Sequence, residues 1–123
     1  MTKQDDLRVS DYLRHILEAI RRIYTYLEDV SEVTFLQNTF VQDAVLRNIE
    51  IIGEASRNLT RYYLDFTQAN SDIPWEDMYW MRNRISHGYF SIDFEVVWRV
   101  VEKDLPTLYE QIGAIYKKVA REK

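Results

Sequence analysis

Six apolar residues near the start of the chain, Val9, Leu13, Ile16, Ile20, Ile23 and Leu27, step by 4, 3, 4, 3 and 4. That spacing tracks the 3.6-residue turn of an α-helix and paints one face of it. The segment from about Asp5 to Asp29 is therefore expected to be a long amphipathic helix with one apolar stripe. Arg8, Arg14, Glu18, Arg21, Arg22 and Glu28 fill its other faces, and Tyr24 and Tyr26 broaden the apolar surface. A helix of this kind cannot bury its stripe alone, so it requires further packed elements.

The rest of the sequence supplies them. A second long segment begins after Ser31 and is clearest from Thr39 to about Leu64, where Val41, Val45, Ile49, Ile52, Leu59 and Tyr63 keep helical spacing. Gly53 costs roughly 1 kcal/mol against alanine inside a helix, and it reads as a place where a neighbouring helix comes close. Asp43, Arg47, Glu50, Glu54, Arg57 and Arg61 form a charged stripe, read as a solvated face with i,i+4 pairs; the alternative is that Asp43, Glu50 and Glu54 line a cleft or meet a partner's basic surface. From Asp65 to Ile73 the pattern lapses into an expected loop.

Pro74 suits the first turn of a third helix, with Ser71 and Asp72 as start signals and Glu76 and Asp77 at its positive end. Trp75, Met78 and Met81 give it an apolar face with Trp80 alongside, and it is expected to run to about Ser86 and end near Gly88. Phe94, Val97, Trp98 and Val101 mark a fourth helix, with Asp93 near its start. Asp104-Leu105-Pro106 punctuates the chain, and Leu108, Ile112, Ile115 and Val119 mark a last helix. The expected fold is all-α: a single domain over residues 1–123, an antiparallel bundle of four to five helices, two of them long and the C-terminal ones shorter.

Composition narrows the functions. Three Gly and two Pro are too few for a turn-rich β-sandwich, and the lack of Cys excludes disulfides, a thiol nucleophile and Cys-ligated metals. Two His leave little room for a histidine-rich metal site, so no metal site and no cofactor are expected. Apolar runs of four residues or fewer are too short to span a membrane. The polar start, Met1 to Asp6, lacks the apolar core of a signal peptide, so a cytoplasmic location is expected. The net charge of −4 repels phosphate overall, so a nucleic-acid substrate requires a local basic patch. Arg82 with Arg84 is the expected source of one.

The most unusual segment is Met81-Arg82-Asn83-Arg84-Ile85-Ser86-His87-Gly88-Tyr89-Phe90, which gathers Arg, Asn, Ser, His and Tyr at a helix end. Asn83 and His87, four apart, share a face while the helix lasts. Arg82 and His87, five apart, lie about 140° apart around an ideal helix and converge only if the Arg wraps, the last turn distorts, or a second copy contributes. These groups suit phosphoryl transfer without metal. Histidine exchanges protons near neutrality, arginine forks onto phosphate oxygens, and in RNA the neighbouring 2′-OH is a built-in nucleophile. The plainer reading makes His87 a cap or core residue, Tyr89 a packing aromatic and Arg84 a surface charge. His15 has no evident partner and reads as structural or exposed, and Trp75, Trp80 and Trp98 as core or interface residues.

Arg82-Asn83-Arg84-Ile85-Ser86-His87-Gly88-Tyr89 resembles the R-x4-H-x-Y signature of the HepT-like toxins of the HEPN superfamily, helical-bundle ribonucleases. Asp43 to Ala55 resembles the family's second-helix segment, Ile73-Pro74-Trp75 its entry to the motif helix, and Val97-Trp98 with Asp104-Leu105-Pro106 the segment that follows. The resemblance covers about residues 5 to 116. It implies a metal-independent endoribonuclease acting on mRNA or tRNA as the toxin of a toxin–antitoxin pair. Arg82 and His87 take the catalytic positions and Asn83 a supporting polar one. It also implies a homodimer that sets two motifs beside one cleft. The implied partner is an MntA-like nucleotidyltransferase that transfers AMP from ATP to Tyr89. A non-catalytic helical subunit that binds such a nucleotidyltransferase is the alternative reading.

Overall fold

The structure, a computed structural model, describes residues 8–87 and 91–121. Its elements in chain order are α1 (Val9–Tyr26), α2 (Glu32–Phe35), α3 (Thr39–Tyr62), α4 (Leu64–Ala69), α5 (Trp75–Tyr79) and α6 (Met81–Ile85). Then come β1 (Ser86–His87), β2 (Ser91–Ile92), α7 (Phe94–Arg99), a π-helical turn (Val100–Asp104) and α8 (Leu105–Arg121). The expected all-α bundle is present, with a two-residue antiparallel ladder between β1 and β2 as an ornament on it.

Helix α1 packs chiefly on α3 and secondly on α8, and α3 also carries α5 and α6. The predicted stripe of α1 is its buried face: Leu13, Ile16, Ile20 and Ile23 have no exposed surface, and Val9 and Leu27 are partly buried at the two ends. Val45, Ile49, Ile52 and Leu59 of α3 and Leu105, Leu108 and Ile112 of α8 complete the core. Each such side chain contributes about 1.5–3 kcal/mol on burial, so this seam dominates stability. Tyr12 in the first turns of α1 meets Tyr63 at the end of α3, ring centroids 6.4 Å apart, so the two helices run antiparallel.

Local chemistry sets the connections. Asp29 adopts a left-handed backbone (φ 61°) just after α1, a conformation Asp tolerates better than most residues. Ser31 caps α2 by accepting from the Thr34 N–H, and Asn38 caps α3 by accepting from the Val41 N–H. Buried Phe35 of α2 packs on Phe94 and Trp98, tying this corner to α7.

Four local expectations change. The stretch read as a loop contains α4, because Phe66 packs on Trp75 and Thr67 is buried; tertiary contact orders a segment without an apolar repeat. The third helix is two short helices broken at Trp80, and it starts after Pro74, which is the N-cap residue. Ser71 and Asp72 do not cap it. Its end at Ile85, with Ser86 as the C-cap residue, agrees with the expected end at about Ser86. Finally, Asp104-Leu105-Pro106 does not separate two helices: α7, the π turn and α8 are continuous. Pro106 has no N–H for the carbonyl four residues back and its ring crowds that carbonyl, and the helix widens into a π turn just before it.

Gly53 behaves as its position suggests. A Cβ there would stand 3.3 Å from the Met78 carbonyl oxygen and 3.4 Å from that of Tyr79. The missing side chain lets α5 lie against α3, and Ser56 Oγ, donating to the Trp75 carbonyl at 2.6 Å, pins the same junction.

Candidate active site

That close approach positions the motif helix. With α5 held on α3, the break at Trp80 redirects the chain into α6, whose buried Met81 and Ile85 anchor it to the core. The residues between them are left exposed. Ser86 Oγ donates back to the Arg82 carbonyl at 2.8 Å and the Asp93 N–H donates to the Ile85 carbonyl at 2.7 Å, so the last carbonyls of α6 are satisfied without another helical turn. Asp93 then caps α7, accepting from the Glu95 and Val96 N–H groups. The chain between α6 and α7 is thereby closed into the β1–β2 ladder.

Arg82 and Arg84 leave α6 on different sides. Arg82 Nε lies 3.3 Å from Glu50 Oε2 of α3, whereas Arg84 pairs with Asp104 of the π turn. The two do not build one basic patch, contrary to the sequence expectation. Two residues along a helix is about 200° of rotation, which separates them.

Arg82 borders a groove of about 630 Å³ between α1, α3 and the α5–α6 break. Tyr12 and His15 of α1 form one wall, and Arg47, Glu50, Glu54 and Asn58 of α3 form another, with Tyr79 and Arg82 closing the third side. Glu50 and Arg82 are both open to solvent, 41% and 46% exposed, so the guanidinium is reachable by a ligand. The contact runs through Nε, and a half-exposed guanidinium of this kind can fork onto a phosphate. The charged stripe of α3 is thus not a uniform solvated face. Its middle lines the groove, while Arg57 and Arg61 lie over the rings of Tyr79 and Tyr62. None of the ion pairs among the described residues joins two members of that stripe.

The sequence-predicted residues fall as follows. Arg82 is on the groove. Asn83 is exposed on α6. His87 is on β1, paired in register with Ser91, so the helical-face relation drawn between Asn83 and His87 does not apply: α6 has ended before His87. Tyr89 lies outside the described residues. Sequence reasoning missed His15 and Arg47 as groove residues; of the carboxylates it offered as cleft-lining, Glu50 and Glu54 border the groove and Asp43 does not. Arg47 comes beside Arg82 through the docking of α5 and α6 on α3, and His15 through the pairing of α1 with α3; no local spacing encodes either. Among the described residues no group of three or more His, Asp or Glu side chains is placed to hold a metal ion, and no helix is long and apolar enough to cross a membrane.

Known proteins show what this chain is similar to. A family model described as ribonuclease HepT-like matches residues 16–115. The chain is 41% identical over 98 residues to "Probable ribonuclease HepT" of Thermococcus cleftensis, covering 80% of this chain and 86% of that one. It is 34% identical over 115 residues to "Putative RNase MJ1380" of Methanocaldococcus jannaschii, covering 94% of this chain and all of that one. A third relative, "Gamma-glutamylcyclotransferase and putative RNase MJ0434" of the same organism, is 42% identical over 115 residues, and the chain spans 50% of its length. No solved structure matches significantly. With the family model spanning most of the helical bundle and the motif helix inside it, the chain belongs to the HepT-like ribonuclease family.

Proposed function

We propose that this chain is a metal-independent endoribonuclease, the toxin of a type VII toxin–antitoxin pair. In this reading the RNA 2′-oxygen attacks the adjacent phosphorus and the bond to the 5′-oxygen breaks. The products are a 2′,3′-cyclic phosphate and a 5′-hydroxyl. His87 takes the 2′-OH proton, and Arg82 stabilises the charge growing on the non-bridging oxygens. Asn83 supports the site as a polar neighbour. A homodimer would set two motifs beside a shared cleft and so supply a second His87 to protonate the leaving 5′-oxygen.

The observation that carries the reading is the state of Arg82. It is a half-exposed guanidinium on the rim of a groove, its Nε 3.3 Å from Glu50 Oε2.

Neutralisation follows from the same chemistry. An MntA-like nucleotidyltransferase partner would bring ATP; the Tyr89 hydroxyl attacks the α-phosphorus and pyrophosphate leaves. Each added AMP puts a negative phosphodiester and a bulky nucleoside beside a site built for phosphate. The test has two parts. RNA with hydrogen in place of the 2′-OH at the cut position is expected to resist cleavage, and its cleavage would reject the mechanism. Incubation with partner and ATP is expected to add AMP mass to the native protein and none to Tyr89→Phe; an unchanged gain in the variant would move the acceptor elsewhere. Growth arrest on expression without the partner, relieved by His87→Ala, separates a toxin from a non-catalytic binding subunit, which would show no growth effect.

A further inference from the structure

The groove beside Arg82 carries more polar chemistry than one phosphate requires. Arg47 lies about one helical turn before Glu50 on α3, and Glu54 and Asn58 lie one and two turns after it. His15 faces them from α1, its ring set edge-on against Tyr12 at 6.3 Å and 85°. A bare phosphate site presents cations alone. Here guanidiniums alternate with carboxylates, an amide and an imidazole. Phosphate oxygens need the first; ribose hydroxyls and the amino and imino groups of a base donate to the others. The volume, about 630 Å³, is within the range of pockets that hold small organic ligands.

We infer that this groove is a binding subsite for the nucleotide of single-stranded RNA next to the scissile phosphate. Arg47 meets the neighbouring phosphate, and His15 and Glu54 meet the sugar or base. Glu50 holds Arg82 at the junction between subsite and cut. The inference rests on the ribonuclease reading of the chain, and it gives roles to His15 and Arg47, which take no part in the bond-breaking step.

The experiment measures two quantities on the full chain: Kd for a short single-stranded RNA made uncleavable by 2′-deoxy substitution, and KM and kcat for the matching cleavable RNA. Arg47→Ala and His15→Gln are compared with the native protein across a salt series. Loss of one charge-assisted phosphate contact is expected to raise Kd and KM by about tenfold for Arg47→Ala, with kcat within about twofold. The slope of log K against log salt should fall by about 0.7, the value for one phosphate contact on a single strand. Arg47→Lys should restore most of the salt slope, which mere structural damage would not allow.

Unchanged Kd, KM and salt slope in both variants, with the native protein cleaving normally, would overturn the subsite and leave the ribonuclease reading standing. A fall in kcat with Kd unchanged would also overturn it. Native protein that binds the uncleavable RNA through Arg47 yet cuts nothing would keep the subsite and reject the reaction. Native protein that neither binds nor cuts would reject both.

Discussion

The long-helix seam and the short motif region solve opposite problems with the same chain. Along α1 and α3 the apolar residues recur every turn and vanish into the core. Between Trp75 and Ile92 four short elements follow one another, and among the described residues the buried ones are isolated anchors: Trp75, Met78, Met81 and Ile85. Continuous burial gives stability and leaves few polar side chains to present. Broken elements give little stability of their own but set exposed groups such as Arg82 at a fixed place on a rigid neighbour. The difference teaches where to look for chemistry in a small bundle: at the breaks that the long helices hold in place.

The most severe test of this contrast is to remove the two groups proposed to act on the RNA. Arg82→Ala and His87→Ala are expected to lower RNA cleavage by about 10²–10⁴-fold. For Arg82→Ala the urea midpoint should barely move, because an exposed ion pair such as Arg82–Glu50 is worth about 0–1 kcal/mol. A cleavage loss matched by unfolding would erase the division between the two regions. The converse variant is Ile16→Ala or Ile20→Ala in α1. Each empties a fully buried position and should cost about 2–5 kcal/mol by urea denaturation, while the molecules that remain folded cut at the native rate.

Gly53→Ala tests how the two regions are joined. The new Cβ would crowd the carbonyl oxygens of Met78 and Tyr79, so α5, and with it Arg82, must shift by a few tenths of an ångström. Gain in helix propensity, about 1 kcal/mol, offsets part of the strain. Stability is therefore expected to change little and cleavage to fall by about tenfold, since small misplacements of positioned groups are costly. Arg84→Ala sharpens the comparison within α6: its partner is Asp104, away from the groove, so cleavage should persist and stability fall by about 1 kcal/mol or less.

The smallest effect belongs to the start of α1. The Arg8 N–H donates to the Asp11 carboxylate at 2.9 Å. That bond, helped by Arg14 and the Arg8 charge, holds the Asp11 carboxyl below its usual range. Asp11 thus stabilises the fold above the ordinary carboxylate value, and this contribution disappears as pH falls through the lowered one. Asp11→Asn should flatten that part of the acid denaturation curve, most visibly at low salt.

Much of the seam was legible because burial there is periodic. Leu13, Ile16, Ile20 and Ile23 could be placed from spacing alone, and Gly53 could be read as a close approach because a glycine inside a strong helical pattern needs a reason. The short elements resisted the same reading. Helix α4 has too few residues for a repeat and is ordered by Phe66 and Thr67 packing, which sequence spacing does not carry. The divergence of Arg82 and Arg84 follows from helical geometry, yet their partners Glu50 and Asp104 become visible only once α6 is docked. His15 was set aside for the same reason: its neighbours across the groove are more than thirty positions away in the chain.

Metal-free cleavage of RNA at this motif is the proposal on which every other expectation of activity depends. The most direct measurement incubates the protein, made without its partner and of unmodified mass, with end-labelled total RNA in excess chelator beside His87→Ala. The account predicts cleavage by the native protein alone, with 2′,3′-cyclic phosphate ends. Intact RNA in both reactions, or equal cleavage by the variant, would contradict it.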